Sequence, residues 1–111
     1  MAPIKTLWVK PEYLQDILAG RKRVEVRVGY SNIMRLQPGD YLRLNDSQLA
    51  VIRRVAHYQN FEELLAHEDC ATIAPDLEAQ SLLTVLRTLY PPEKEMLGAV
   101  ALEIELVDEG A

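Results

Sequence analysis

At 111 residues, 49% hydrophobic and 26% charged, the chain has the composition of an ordinary soluble globular protein. Its length is that of one domain, able to bury roughly 65% of the surface its unfolded form would expose. No apolar run approaches the ~18 residues of a membrane span, the opening MAPIKTLWVKPEY lacks the apolar centre of a signal peptide, and Cys70 stands alone, which excludes an internal disulfide and fits a reducing cytoplasm. The net charge of −5 argues against bulk electrostatic coating of nucleic acid. Residues 1–60, however, hold ten Lys/Arg against five Asp/Glu, and residues 61–111 hold two against twelve. An anion site is therefore expected to be local and to lie in the basic first half.

Ile4–Val9 is short, apolar and β-prone and predicts a first strand; Trp8 within it reads as core. Pro11 suits the first turn of a helix in which Tyr13, Leu14, Ile17 and Leu18 recur at helical spacing and Gly20 is the stop. Arg23–Val28 alternates, with Val24, Val26 and Val28 on one face and Arg23, Glu25 and Arg27 on the other. Pro38-Gly39-Asp40 turns into a strand at Tyr41–Leu44, Asn45-Asp46-Ser47 is a second turn, and Gln48–Tyr58 is a strand long enough to bend. Asn60 is placed to cap a helix over Phe61–His67. Leu77–Tyr90 carries a broad leucine stripe and predicts a second long helix, ended by Pro91-Pro92, with YPPEKE as a charged loop. Gly98–Val107 alternates again as the last strand. The order β-α-β-β-β-α-α-β favours antiparallel connections. It predicts an α+β fold, a small mixed or closed β-barrel with helices outside.

The stretch GRKRVEVR, residues 20–27, concentrates the chemistry. Glu25 and Arg27, two apart on a strand, share a face. Arg27 offers a planar fork of donors for a phosphate or base edge, and Glu25 accepts from an exocyclic amine or holds a neighbouring cation. Lys22 has the opposite parity unless the helix-to-strand turn re-aims it. Together they describe a site reading one nucleotide; the bland alternative is a solvated ion-pair ladder worth about 0–1 kcal/mol. Arg35 and Asn45 are secondary ligand-binding candidates, the first extending the basic surface with Arg43, Arg53 and Arg54, the second near a base as a hydrogen-bonding amide. Tyr30 and Trp8 are stacking candidates. His67 and Cys70 have metal-like spacing but no second pair, so no metal site is assigned, and nothing in the chain implies a cofactor.

With these elements placed, Gly20, Lys22, Glu25 and Arg27 spell G-x-K-x-x-E-x-R after a helix. LQPGDYLRLN, NFEELL and TLYPPEKEMLGAVALEIEL follow in order. In this the chain resembles the ASCH domain, a compact group of the PUA-like barrel superfamily, over about Leu7 to Leu106. The resemblance implies a barrel whose cleft is lined by the motif's polar side chains and whose partner is RNA, a nucleotide or a modified nucleoside. Some small bacterial members it resembles are amidohydrolases acting on N4-acetylcytidine through a Lys, a Thr and a Glu; others are described as ribonucleases. The chain departs from the amidohydrolases at Glu25, which stands where they carry the Thr, and a carboxylate does not replace a hydroxyl nucleophile. Their catalytic Glu would fall somewhere within Glu68 to Glu78. The expected function is therefore RNA or nucleotide binding through Lys22, Glu25 and Arg27. The alternative is a small hydrolase with Lys22 and Glu25 as the catalytic pair, and a last reading is an adaptor docking a protein through the acidic half.

Overall fold

The computed structural model describes residues 4–109. Five strands form one mixed sheet in the order β1-β3-β4-β5-β2 that curls into a half-barrel. These are β1 (Lys5–Leu7), β2 (Val24–Val28), β3 (Tyr41–Leu44), β4 (Gln48–Tyr58) and β5 (Ala99–Leu106). Among the described residues six helical segments flank them: α1 (Pro11–Leu18), α2 (Ser31–Met34), α3 (Phe61–His67), α4 (Cys70–Ile73), α5 (Ala79–Leu89) and α6 (Pro92–Glu95). Among the described residues no helix is long and apolar enough to cross a membrane.

Most boundaries follow the local chemistry read from the sequence. Pro11 opens α1, and the Asn60 side chain accepts from the Glu63 amide to cap α3 at 2.8 Å. Asn45 and Asp46 both take positive φ, 51° and 61°, and Ser47 N–H reaches Leu44 O. This is the I′-type turn that suits a hairpin's twist and that Asn and Asp tolerate.

Four expectations are corrected. The first strand is shorter than Ile4–Val9, so Trp8 lies beyond it and is 62% exposed rather than core. The pairing of β1 with β3 is parallel; the segment from α1 to α2 acts as the long crossover that such a pair requires, because β2 is sent to the opposite edge of the sheet. YPPEKE is not all loop, since Pro92 starts the short helix α6. Helical turns also form at α2 and α4, too short for periodicity to reveal.

The sheet buries both faces. Leu42, Leu44, Ala50, Ile52, Val100, Leu102 and Ile104 pack with Ile17 of α1 and Ile33 of α2. On the other face Val24, Val26, Val28, Ala99 and Ala101 pack beneath Phe61, Leu64, Leu82 and Leu86 of α3 and α5. A register shift between Ile52 and Arg54 leaves Arg53 as an extra residue. That bulge reverses the parity of β4, so Ala50 and Ile52 serve the first cluster while Ala56 and Tyr58 serve the second. The half-barrel leaves β1 and β2 as free edges. The two are tied by a side chain, with Arg27 Nη2 donating to the Trp8 carbonyl at 2.7 Å.

Candidate functional site

A cleft of about 180 Å3 opens at this seam. Trp8, Val9 and Lys10, which follow β1, form one side, Glu25 and Arg27 of β2 the other, with Tyr13 of α1 and Lys22 of the turn before β2 contributing. Helix α5 and its end fold over the edge of β2 and give an apolar wall of Leu82, Val85, Leu86, Leu89 and Tyr90. At ~30 Å3 per water the space holds roughly six waters. It is smaller than the ~300–1,000 Å3 of drug-sized sites and is on the scale of a single heterocyclic ring.

The register explains how β2 supplies the polar floor. Glu25 lies opposite Leu102 and Arg27 opposite Val100 on β5, and directly opposed residues share a face. The charged face of β2 is thus the one carrying the first core cluster, while the valines face α3 and α5. Arg23 does not join it. It precedes the strand, its amide and carbonyl are bonded to Thr72 O and Ile104 N, and its side chain lines a separate cleft with Arg54 and Glu68.

Lys22 does converge, and the cause is the turn at Gly20. Gly20 takes φ +79°; its N–H reaches Ile17 O, and the N–H groups of Arg21 and Lys22 both reach Asp16 O. This glycine-ended helix stop closes the last carbonyls and reverses the chain. The ion pair of Arg21 with the buried Asp16 carboxylate locks it further. Lys22 is then directed inward, only 4% exposed.

Its ammonium meets three acceptors: Ile73 O at 2.7 Å, Val24 O at 2.8 Å and Glu25 Oε1 at 3.0 Å. An ammonium has three N–H donors, so each is used. Its charge also lies 5.6 Å from the Tyr13 ring centroid. Glu25, 7% exposed, accepts from Lys22 on one oxygen and from Arg27 Nη2 on the other at 2.5 Å. Each carboxylate oxygen retains acceptor capacity. Arg27 is anchored through Nη2 alone, to Glu25 and Trp8 O; Nη1 and Nε have no protein partner among the described residues. Burial raises the Tyr90 phenol above its ordinary value, with Arg27 pulling it down and Glu25 pushing it up. Among the lining residues Lys10, Lys22 and Arg27 face one acid, Glu25, so the cleft is net cationic in an acidic protein.

Other candidates lie elsewhere. Asn45 is spent on the backbone, its amide accepting from Val9 N–H and donating to Val9 O, both at 2.7 Å; it positions the cleft wall without lining it. Arg35 follows α2, exposed, and does not line the cleft. Arg43, Arg53 and Arg54 are neutralised by the acidic half, pairing with Glu109, Glu105 and Glu103. Glu68 is bound at both oxygens by Arg54, at 2.6 and 2.9 Å, and by Tyr58. Arg54 holds that carboxyl below its ordinary value against burial, with Tyr58 helping. Neither Glu68 nor Glu78 lines the cleft. His67 bonds Glu63 O and Cys70 contacts Leu77 O; no group of three metal-ligating side chains occurs among the described residues. The apolar wall of α5 and the cleft role of Tyr90 were missed from sequence, although the leucine stripe broad enough to face two surfaces was visible.

The family model described as the ASCH domain matches residues 7–108. The chain belongs to the ASCH domain family. Two solved structures share this ASCH fold. The crystal structure of hypothetical protein PH0355 matches with a TM-score of 0.90 and 26% identity, over 95% of this chain and 100% of that one. The solution NMR structure of protein PF0455 from Pyrococcus furiosus matches with a TM-score of 0.80 and 25% identity, over 96% and 99%. No curated protein matches the chain. ASCH domains have a PUA-like fold, a group generally linked to RNA binding.

Proposed function

We propose that this ASCH domain binds RNA or a nucleotide in the cleft between β1 and β2. One observation carries the reading: Lys22, Glu25 and Arg27 converge on a ring-sized, net-cationic cleft with an apolar wall. In this reading the free guanidinium edge of Arg27 takes a phosphate or an acceptor on the base, Glu25 takes a donor of the base edge, and α5 shields the ring from water. Lys22, whose donors are all used, holds Glu25 in place.

The hydrolytic alternative, a small amidohydrolase-like enzyme acting on a modified nucleoside with Lys22 and Glu25 as its catalytic pair, has less support. Glu25 stands in place of a hydroxyl nucleophile, Lys22 is committed to three protein acceptors, and no acid from 68–78 reaches the cleft.

The test is NMR titration of the labelled protein with ribonucleoside monophosphates, N4-acetylcytidine and short single-stranded RNA, following the acetyl signal together with the amide shifts. Shifts centred on residues 22–27, weakened by salt and abolished in Arg27→Ala with the acetyl group intact, are expected. Release of acetate, or binding indifferent to salt and to Arg27→Ala, would overturn the reading.

A further inference from the structure

Trp8 is the feature the cleft alone does not use up. Its neighbours Leu7 and Val9 are buried in the core, yet the indole between them is 62% exposed at the cleft mouth. What sets this exposed side chain apart is its place: a broad, rigid aromatic face at the rim of a net-cationic cleft. Flexibility does not account for its exposure, because the backbone around it is held on every side. The Asn45 N–H reaches Leu7 O at 3.1 Å, Arg27 holds Trp8 O at 2.7 Å, and the Asn45 amide takes both Val9 N–H and Val9 O. Two residues on, Pro11 opens α1. The side chain itself stacks on no other ring among the described residues.

We propose that Trp8 is a stacking platform for a second base at the mouth of the cleft, and therefore that the physiological ligand is a single strand of at least two nucleotides rather than a free nucleoside. This rests on the nucleotide reading of the cleft and deepens it. A ring-sized cleft accommodates one base. The chain leaving it passes the mouth, where Arg27 and the exposed Lys10 line the same cleft as Trp8 and suit the intervening phosphate. An aromatic face accepts any base because every base presents a π-face, and a fixed backbone means little entropy is lost when it does so. The cationic mouth favours this occupant over a protein segment, for which the exposed indole would otherwise serve as an anchor.

Trp8 is the only tryptophan in the chain, so its fluorescence reports the event directly. The experiment measures affinities of ribonucleoside monophosphates and of dinucleotides of each base by calorimetry, with parallel Trp emission. Wild-type protein, Trp8→Phe and Trp8→Ala are compared. The expected result is a dinucleotide bound about tenfold tighter than the mononucleotide, with markedly stronger quenching by the dinucleotide than by the mononucleotide. Trp8→Phe retains most of that ratio, and Trp8→Ala brings it to within about twofold. Equal affinities in the wild type, or a ratio that survives Trp8→Ala, overturn the platform and leave the cleft reading standing. Binding of neither ligand overturns both.

Discussion

Replacing Lys22 by Met tests whether its ammonium is structural. The substitution keeps a long flexible stem and deletes a charge buried among Ile73 O, Val24 O and Glu25 Oε1. Two buried carbonyls lose a donor, at about 1–3 kcal/mol for each acceptor left unsatisfied. Glu25 is left in the cleft floor with Arg27 as its remaining ion-pair partner among the described residues, and breaking a buried pair by removing one member costs about 3–5 kcal/mol. These losses share one nitrogen and do not add, so the whole effect is expected near 3–5 kcal/mol. At about 4 °C per kcal/mol for a chain of this length, the thermal midpoint should fall by roughly 12–20 °C. The assay is thermal and urea unfolding of wild type, Lys22→Met, Glu25→Gln and the double variant. Lys22→Met should be markedly less destabilising in the Glu25→Gln background, where no carboxylate charge is orphaned. A midpoint lowered by under about 4 °C would mean the protein does not use the three donors. The ammonium would then be free for a ligand, and its assignment as a positioning group would be refuted.

Other outcomes follow from the same geometry. Asn45→Gly keeps the left-handed turn but deletes both bonds to Val9; it should cost about 1–2 kcal/mol and broaden the Trp8 fluorescence anisotropy decay, and unchanged anisotropy would show that the clamp does not hold the indole. Glu68 has its carboxyl held low by Arg54. A lowered folded-state value contributes stability above the ordinary 4.5 that is lost as pH falls through the lower folded value. Glu68→Gln should therefore cost about 1–3 kcal/mol at pH 7, moderated by the partial exposure of Arg54, and the gap to wild type should close in melts carried below pH 4. A gap that persists undiminished in acid would show that the ion pair is not its source.

Much of the fold was legible because its signals are local. Alternation marked β2 and β5, Asn60 announced α3, and Pro11 and Gly20 bracketed α1; each depends on side chains within a turn or two of one another. The parallel pairing of β1 with β3 was not legible, since it depends on β2 leaving for the far edge of the sheet. Trp8 was misplaced because the strand stops at Leu7, two residues short of Val9, and the segment beyond it is held by Asn45, 36 positions from Val9 in the chain.

For the site, local pattern was enough to put Glu25 and Arg27 on one face and the valines on the other, and to set a glycine stop before them. Period-two alternation is symmetric, however: it says which side chains go together and not which face the rest of the chain will cover. That helices α3 and α5 take the valine side is a result of packing over the whole chain. Pairing with β5 then put the charged side at the seam of the half-barrel. The Gly20 turn and the carbonyls of Val24 and Ile73 drew Lys22 inward against its strand parity. The apolar wall came from α5, some sixty residues along the chain. A cleft made of segments so far apart exists only where the packing of the whole chain brings them together, because burial is a property of the assembled surfaces and not of any one of them.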